Sequence, residues 1–562
     1  MVQSKTEEDV KMEDVYVINE TMNLLDNKAD WVLCEEYNCY CLENVLYTAA
    51  PKSKKFQRLS IFVPAAYMCA GEIIDGRCGR YTSATAPIIF ENNAAGYAEM
   101  EHTKLGGSRN YARQYLQNGM VYVTCGCRGR QTQAENKLYI GKSPASLVDF
   151  KTAIRFLRHN RYALPGNMEY MISVGWSAGG AMSALIGCTG NSLVFEKMLL
   201  ENGAFMEESD AVYAAQVYCP IIDLEHADLA YEWQYRKDYS YEISPFKPKE
   251  ILSDFQRALS EKFSNRFIRY FNEMQLRDPE TKEILWIGKD GRSGNAYEYL
   301  MKCLEKSATA YMKRVEQGEI PAQCSVEDYL DGNYFYKVPD FSQISKKGNE
   351  NVSNGDNHLI TYEGHGFRVE ISEVPMKEIQ GNSKRNFLSW DGKQAQISCL
   401  DDYVMEQRGR MKACPSFDFL DNTSGENQVF GDEKTNYMHF NPMTADVIEE
   451  LKEEFPIEYN KYYAAFAKVK EDERLAQRCA LINPFSYIGK KTDCHIARHF
   501  RINVGANDAD TSFMVSLMLA LKLDMLETTD VQYNLYWEQP HCEADYPGDV
   551  CAWIDMVVAK NF

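Results

Sequence analysis

Apolar runs alternate with polar stretches of helical periodicity in the first 220 residues, and this alternation predicts an α/β sheet. Between the third and fourth runs, apolar residues recur at helical spacing from Phe150 to Leu157, and Pro165 and Gly166 end that helix. Alternating strands and helices are typical of a parallel sheet covered by crossover helices. The predicted strands span 59–63, 87–90, 120–124, 170–174 and 212–218.

From about residue 226 to about residue 480 the pattern changes to charged helical stretches, tyrosine-rich segments and polar loops. Strand signals then return at 501–504 and 531–537, with an apolar helix at 513–523 between them and a closing helix at 552–558. We therefore expect one core built from residues 1–225 and 481–562, and an inserted domain formed by residues 226–480. Long insertions in compact proteins are usually functional, and this one is expected to form a lid.

Composition and charge restrict the partners and the compartment of the chain. The formal net charge of -20 argues against nucleic acid and anionic membranes as partners. No signal-type segment opens the sequence, and no run approaches the ~18 apolar residues of a membrane helix. The 17 cysteines lack metal-finger spacing, even at Cys125-x-Cys127, which fits free thiols. We expect a cytoplasmic protein, although a removed leader would leave export open.

The segment Gly175-Trp176-Ser177-Ala178-Gly179 matches G-x-S-x-G between a strand pattern and a helix pattern. In such a turn the serine hydroxyl stands clear of the sheet edge, and the flanking glycines avoid clashes. By the predicted elements, Ser177 follows the fourth or fifth strand of an open sheet. A plain Gly/Ser turn is the alternative, but the strand and helix on the correct sides favour a nucleophile.

A serine nucleophile needs a histidine base that is oriented by a carboxylate. Asp508 lies just after the predicted strand 501–504, and His541 lies just after the next strand, 531–537. The chain order of serine, acid and histidine is that of α/β-hydrolases. Because consecutive strand ends lie side by side, we predict a triad of Ser177, Asp508 and His541. The predicted fold class is an α/β-hydrolase with a mostly parallel central sheet and a large inserted lid domain.

Other histidines offer a rival chemistry. His495 and His499 have i, i+4 spacing and could bind zinc from one face of a helix, but no third ligand accompanies them. His159, His226 and His439 precede the acid in sequence and lie outside the expected strand-end position, so we expect structural roles for them. The sequence implies no metal and no organic cofactor.

Acyl transfer also needs backbone donors for the developing oxyanion. The amide of Ala178, directly after the serine, is the first expected donor. The loop 91–97 follows an early strand and contains small residues that admit a substrate oxygen, so Ala95 is the expected second donor. Ala94 and Gly96 remain alternatives.

Several of these segments together resemble the bacterial tannases, α/β-hydrolases that split galloyl esters. The resemblance covers most of the chain and rests on loop 93–97, the GWSAGG turn, the stretch CPIIDLEHAD at 219–228, and the loops of Asp508 and His541. It implies that the insertion covers the active site as a lid. The fungal tannase and feruloyl esterase group resembles this chain only in the cysteine after the histidine, Cys542; because Trp176 and not a cysteine precedes Ser177, a disulfide from this turn to Cys542 is not expected.

The resemblance further implies a pocket in which Lys412, Glu426 and Asp510 read the ring hydroxyls of the acyl group. Segments 410–418 and 424–427 match the tannase lysine and glutamate segments. Carboxylates can accept hydrogen bonds from vicinal phenols, and a lysine can donate to one of them. A surface ion pair between Lys412 and Glu426 is the alternative.

These features predict a serine esterase that hydrolyses galloyl or related hydroxybenzoyl esters through an acyl-enzyme, with a small phenolic ester as its partner. A feruloyl or chlorogenate esterase with the same triad is the nearest alternative. A hydrolase-like binding protein without catalysis is an alternative of another class. The sequence leaves open the alcohol portion, gallate against protocatechuate or cinnamate, the second oxyanion donor and the oligomeric state.

Overall fold

A computed structural model describes most of the chain. The described residues are 24, 31–105, 111–241, 249–320, 324–339, 352–354, 358–363, 366–370, 376–380, 384–489 and 493–559. Within these ranges, no helix has both the length and the apolar character that a membrane crossing requires.

The core is a nine-stranded sheet in the order β1-β2-β3-β5-β4-β6-β7-β8-β9. Its strands are β1 (Val32–Cys34), β2 (Cys39–Leu46), β3 (Arg58–Pro64), β4 (Pro87–Asn92), β5 (Val121–Cys125), β6 (Asn167–Trp176), β7 (Ala214–Tyr218), β8 (His499–Gly505) and β9 (Asp530–Tyr536). Strands β4 to β9 are mutually parallel, whereas β1 to β3 run antiparallel to their neighbours. The prediction of a mostly parallel sheet is confirmed.

All seven predicted strands are present, with ends shifted by a few residues, but β1 and β2 were not predicted. Exposed apolar residues in β1 and the polar pair Glu43-Asn44 within β2 hide the alternation expected of a strand. Asn44 also has a positive φ of 63° at a shift in the register. The expectation that Ser177 follows the fourth or fifth strand is therefore wrong, because it follows the sixth strand of the sheet.

Helices connect and cover the strands of the core. The α-helices of this part are Tyr111–Gln117, Ala145–His159, Ala178–Cys188, Glu196–Glu201, Phe513–Asp524 and Asp549–Ala559, with 3-10 turns at Ala65–Tyr67, Ala95–Tyr97 and Leu193–Phe195. Three of them confirm the helices predicted near 150–157, 513–523 and 552–558. Two short strand pairs, Met68–Cys69 with Glu72–Ile73 and Arg77–Cys78 with Tyr81–Thr82, complete this part.

Residues 219–498 lie between β7 and β8, and those among them that the structure describes contribute no strand to the central sheet. The α-helices described there are Leu224–Tyr235, Asp254–Glu273, Asn295–Glu316, Val326–Asp331, Leu400–Gln407, Gly425–Val429, Pro442–Glu450, Pro456–Ala467 and Glu473–Leu481, with 3-10 turns at Lys468–Glu471 and Pro484–Ser486. Small sheets join Ser240–Tyr241 to Glu250–Ile251, Phe335–Pro339 to Met376–Gln380, Leu388–Trp390 to Ala395–Ile397, and Val352–Asn354, His358–Glu363 and Gly366–Glu370 to one another.

The first helix of this excursion, Leu224–Tyr235, anchors it to the core. Its aromatic residues Tyr231, Trp233 and Tyr235 are almost fully buried. Burial of such side chains contributes about 1.5–3 kcal/mol each. The Tyr231 hydroxyl donates to the carbonyl of Ala509 at 3.0 Å, and the Tyr235 hydroxyl donates to that of Asp508 at 3.4 Å. The helix thus packs directly against the loop that carries the predicted acid.

Candidate active site

Ser177 sits between the end of β6 and the start of the helix Ala178–Cys188, in a strained backbone conformation (φ 59°, ψ -125°). The neighbouring glycines are required because the turn has no room for a side chain at their positions. A Cβ on Gly175 would lie 2.2 Å from the Gly179 carbonyl oxygen, and one on Gly180 would lie 2.1 Å from that of Tyr218. The Ser177 amide donates to the Tyr218 carbonyl at 3.1 Å. This is the sharp strand-to-helix turn expected for a G-x-S-x-G nucleophile.

The three predicted triad residues are hydrogen-bonded in series. His541 Nε2 lies 2.8 Å from Ser177 Oγ, and His541 Nδ1 lies 2.8 Å from Asp508 Oδ2. The Asp508 side chain is fully buried, whereas the His541 side chain is 16% exposed. Asp508 follows the end of β8 and His541 follows the end of β9, so adjacent strand ends bring the two together. A hydroxyl, an imidazole and a carboxylate in this order can transfer a proton from the serine to the histidine.

The electrostatic environment favours a protonated His541. Burial by itself would lower the pKa of His541, but the Asp508 carboxylate and the nearby Asp510 hold it well above its usual range. The second carboxylate, Asp510 Oδ2, lies 4.0 Å from His541 Nδ1. The raised pKa makes the imidazole a stronger proton acceptor.

Cys219, the residue after β7, lies beside the same imidazole, with Sγ 4.0 Å from His541 Nε2. Burial raises the pKa of the Cys219 thiol, which favours its neutral form. In the described residues, Cys219, Asp508 and His541 form the one group of potential metal ligands with close spacing. However, Asp508 faces Nδ1 and Cys219 faces Nε2, so the three do not converge on one cation. All 17 cysteines lie in the described ranges and are free thiols.

The rival histidine pair is not arranged for metal binding. His495 forms an isolated bridge with Gly190, and His499 opens strand β8, so the helix assumed for the pair is wrong. Among the described residues, neither histidine belongs to a closely spaced group of potential metal ligands. His499 instead contacts Asp530 and Tyr213 at 3.1 and 3.2 Å.

The remaining rival histidines each have an acidic partner that is not part of the predicted triad. His226 Nδ1 lies 2.8 Å from Asp223 Oδ1, and His439 Nδ1 lies 2.6 Å from Asp418 Oδ1. His159 Nδ1 lies 3.5 Å from Glu207 Oε1. These contacts fit the structural roles predicted for all three.

The predicted oxyanion donors lie on two adjacent backbone segments. Ala178 opens its helix, so its amide has no acceptor within that helix. Ala95 opens the 3-10 turn Ala95–Tyr97 after β4 and is half-buried. A Cβ on Gly179 would lie 3.9 Å from the amide nitrogen of Ala94, which shows how closely the two segments approach. Either Ala95 or a neighbouring amide can thus face the same oxygen as Ala178.

Two of the predicted ring-binding residues, Lys412 and Asp510, converge beside the histidine. The Tyr231 hydroxyl accepts from the Lys412 amide at 3.3 Å and donates to Ala509, next to Asp510. Burial would raise the pKa of Asp510, but His541 and then Lys412 lower it below its ordinary value. The Lys412 ammonium lies 3.9 Å from the centre of the Phe417 ring.

Glu426, the third predicted ring-binding residue, lies near the turn that carries Ala95, the second predicted oxyanion donor. It lies in the helix Gly425–Val429, which packs against the turn Ala95–Tyr97. Burial, and then the Glu426 carboxylate, raise the pKa of Tyr97. Among the described contacts, none joins Glu426 directly to Lys412 or Asp510. The alternative of a Lys412–Glu426 ion pair is therefore wrong for this structure, and the two charged groups stand on separate segments.

Sequence reasoning missed Glu538, which holds the two triad loops and the excursion together. Its Oε1 accepts from the hydroxyl of Tyr329 at 2.6 Å and from Arg385 Nη2 at 2.5 Å. Its Oε2 accepts from the side-chain amides of Gln407 at 3.1 Å and Asn507 at 3.0 Å. The position of Glu538, directly after a predicted strand, was the available signal, but its distant partners have no signature in sequence.

Comparison with known proteins places this geometry in context. Residues 82–241 match the family model described as BD-FAE. The solved tannin acyl hydrolase from Lactobacillus plantarum is 29% identical, with 92% of this chain and 94% of that chain covered and a TM-score of 0.71. The tannase of Fusobacterium nucleatum is 28% identical, with 92% and 95% covered and a TM-score of 0.69. A tannin acyl hydrolase in complex with ethyl gallate is 28% identical, with 92% and 94% covered and a TM-score of 0.67.

No curated protein matches the chain significantly. The structural matches extend over nearly the whole chain, whereas the BD-FAE match covers the part that carries the serine turn. The fold, the family model and the solved relatives agree on one class of enzyme. The chain is an α/β-hydrolase and a carboxylic ester hydrolase that resembles the bacterial tannases.

Proposed function

We propose that this chain is a serine esterase that hydrolyses galloyl or related hydroxybenzoyl esters through an acyl-enzyme. The observation that carries the proposal is the hydrogen-bonded series Ser177–His541–Asp508, with Lys412 and Asp510 beside it. The series supplies the chemistry of ester cleavage. The charged pair beside it supplies groups that can bind phenolic hydroxyls.

Acylation begins when Ser177 Oγ attacks the ester carbonyl carbon. His541 Nε2 takes the Oγ proton, and the Asp508 carboxylate stabilises the resulting imidazolium. The carbonyl oxygen becomes an oxyanion, which accepts hydrogen bonds from the amides of Ala178 and Ala95. The tetrahedral intermediate then collapses, the bond to the alcohol oxygen breaks, and that oxygen leaves with the proton held by His541.

Deacylation repeats the sequence with water. His541 removes a proton from a water molecule, whose oxygen attacks the acyl carbon. The second tetrahedral intermediate releases Ser177 Oγ, which recovers its proton from His541. The products are a free carboxylic acid and the unchanged enzyme, with no metal or organic cofactor in any step.

The acyl group is selected by its ring hydroxyls. In the proposed complex, Glu426 and Asp510 accept hydrogen bonds from the phenols, and Lys412 donates to one of them. The ethyl gallate complex of a relative supports a galloyl-sized acyl group. The excursion supplies Lys412 and Glu426, which supports the lid role proposed for residues 226–480 between core parts 1–225 and 481–562.

A feruloyl or chlorogenate esterase with the same triad remains the second candidate, and the BD-FAE match is compatible with it. That match ends at residue 241, so it includes Ser177 but none of the three proposed ring-binding residues. It therefore supports ester hydrolysis and is neutral about the acyl group. The charged groups beside His541 favour hydroxybenzoyl over methoxylated cinnamoyl esters.

A panel of phenolic methyl esters tests the proposal. We expect efficient hydrolysis of methyl gallate and methyl protocatechuate and poor hydrolysis of methyl ferulate, measured as kcat/KM for each ester. A pocket that binds ring hydroxyls leaves its polar groups unpaired when a hydroxyl is masked. Equal efficiency on methyl ferulate would refute the hydroxyl-binding pocket and favour the second candidate.

Asp510→Asn is expected to move the acid limb of the pH–rate profile to lower pH. The Asp510 carboxylate helps to raise the pKa of His541, so its neutralisation lowers that pKa. Because the neutral imidazole is the base, kcat/KM then falls off at a lower pH than in the wild type. The substrate should be p-nitrophenyl acetate, whose acyl group has no ring hydroxyl. Asp524→Asn, at the end of the following helix, is the matched control, and an acid limb that stays in place contradicts the prediction.

Glu538→Ala is expected to lower the free energy of unfolding by about 2 kcal/mol, because it leaves the largely buried Arg385 without its carboxylate. Looser triad loops should also lower kcat for gallate and acetate esters alike, by about tenfold. Urea denaturation and steady-state kinetics measure the two effects. Glu527→Ala, an exposed acid before β9, should change neither quantity. A Glu538→Ala enzyme with unchanged kcat would show that Glu538 does not position the triad.

A further inference from the structure

Lys142 lies in the segment between β5 and the helix Ala145–His159, and only 8% of the residue is exposed. Its ammonium donates to the carbonyl oxygens of Arg130 at 2.6 Å, Gln428 at 2.7 Å and Asn436 at 2.9 Å, and to Asn436 Oδ1 at 2.8 Å. A buried lysine is costly unless its charge is well satisfied. This one is satisfied by neutral oxygens from three separate places in the chain.

The setting of Lys142 is unusual for a buried cation. Among the described residues, no carboxylate forms an ion pair with its ammonium, although Glu99 and Asp432 act on it from a distance. Burial, and then the neighbouring charge of Arg130, lower the pKa of Lys142 to about 7. A hydrophobic residue would avoid this penalty but could not form these hydrogen bonds.

These hydrogen bonds join the two segments that flank the proposed acyl pocket. On one side, the Arg130 amide donates to the carbonyl of Tyr97 at 2.9 Å. Tyr97 ends the turn Ala95–Tyr97, called the oxyanion turn because it carries the proposed donor Ala95. On the other side, Gln428 lies in the helix Gly425–Val429 with Glu426. Arg130 Nη1 also donates to Gln428 Oε1 at 2.8 Å. Lys142 therefore connects a core loop to the helix that carries Glu426.

We propose that Lys142 is a positioning residue that fixes the Glu426 helix against the oxyanion turn and thereby sets the affinity for the hydroxylated acyl group. The inference rests on the proposed function in one respect, because it assigns the ring hydroxyls to Glu426. Lys142 itself does not touch the substrate. Its removal should loosen the position of Glu426 and leave Ser177, His541 and Asp508 in place.

Kinetics of Lys142→Met test the consequence for the substrate. The KM for methyl gallate is expected to rise by about tenfold with little change in kcat, since displaced binding groups weaken binding more than the chemical step. The rate on p-nitrophenyl acetate should stay at the wild-type level. In a Glu426→Ala background the same Lys142→Met change should have no further effect on KM, because the two act as one unit. Equal losses on both esters, or full additivity with Glu426→Ala, would overturn the inference.

Hydrogen exchange gives a readout that needs no substrate. Amides of residues 425–429 should exchange faster in Lys142→Met than in the wild type, whereas amides of strand β6 should not change. Unchanged exchange in residues 425–429 would overturn the positioning role. If the wild type does not cleave methyl gallate but exchange still accelerates in the variant, the proposed substrate fails and the positioning role stands.

Two further variants keep the test decisive. Lys137→Met makes the same change at an exposed lysine of the same segment and should alter neither exchange nor KM. Asn436→Ala removes one of the four acceptors with less disturbance, and it should raise KM and exchange in the same direction by smaller amounts. If Lys142→Met does not fold, Asn436→Ala decides: unchanged KM and exchange in that variant would overturn the inference.

Discussion

Ser177→Ala is expected to lower kcat/KM for every ester substrate by at least about 10⁴-fold. Ser177 Oγ is the hydroxyl that His541 Nε2 contacts at 2.8 Å, so its removal eliminates the acyl-enzyme route. Backbone donors and substrate binding alone leave only a small residual rate. Alanine is compatible with the space at this turn, so the free energy of unfolding should change little. Steady-state kinetics and urea denaturation of the purified variant measure both quantities.

Ser183→Ala is the matched control, because Ser183 lies six residues further on, in the helix that Ala178 opens, and its hydroxyl donates to Ser173 Oγ and to the Gln216 carbonyl. It should retain hydrolysis. A Ser177→Ala enzyme that keeps more than a tenth of wild-type activity would contradict the assigned nucleophile. In that event Cys219, the other potential nucleophile near His541 Nε2, becomes the residue to replace. A wild type without esterase activity would instead favour the non-catalytic binding protein.

Lys412→Met and Glu426→Gln are expected to lower kcat/KM for methyl gallate by about 10²-fold or more, because each leaves a ring hydroxyl without its charged partner. The rate on p-nitrophenyl acetate should stay within about threefold of the wild type, since acetate has no hydroxyl to bind. Asp510→Ala should act in the same direction when rates are compared on the pH plateau. Parallel kinetics on the two esters measure the selectivity of each variant.

Lys434→Met and Glu433→Gln make the same changes at exposed residues shortly after the Glu426 helix, and they should have no effect on either ester. If gallate and acetate hydrolysis fall together in Lys412→Met or Glu426→Gln, these residues support the structure rather than the acyl group. Loss confined to the gallate ester supports the hydroxyl-binding pocket.

Much of the core and the order of the triad could be predicted from sequence because both depend on local patterns. Strands buried on both faces give continuous apolar runs, and the residues that follow β8 and β9 must meet at one edge of the sheet. The proposal of Ser177, Asp508 and His541 as a triad rests on these grounds. The edge strands β1 and β2 escaped detection because exposure and a left-handed Asn44 disrupt their alternation.

The contacts that assemble the surroundings of the triad could not be predicted, because they join segments far apart in the chain. Tyr231 meets the Lys412 amide across 181 positions, and Lys142 meets Gln428 across 286. Glu538 receives hydrogen bonds from Tyr329, 209 positions away. Tyrosines, lysines and glutamates of these types are common on any surface, so only the folded chain distinguishes them. For the same reason, the sequence could not show that Lys412 and Glu426 form no ion pair, and only the structure reveals it.

The ratio of kcat/KM for methyl gallate to that for methyl benzoate tests the central claim most directly. The two esters share the bond that Ser177 attacks and differ only in the ring hydroxyls assigned to Lys412, Glu426 and Asp510. A site that pairs its polar groups with those hydroxyls should prefer methyl gallate by about 10³-fold or more. A ratio near one would contradict the account, because the acyl pocket would then bind the ring by its apolar surface alone.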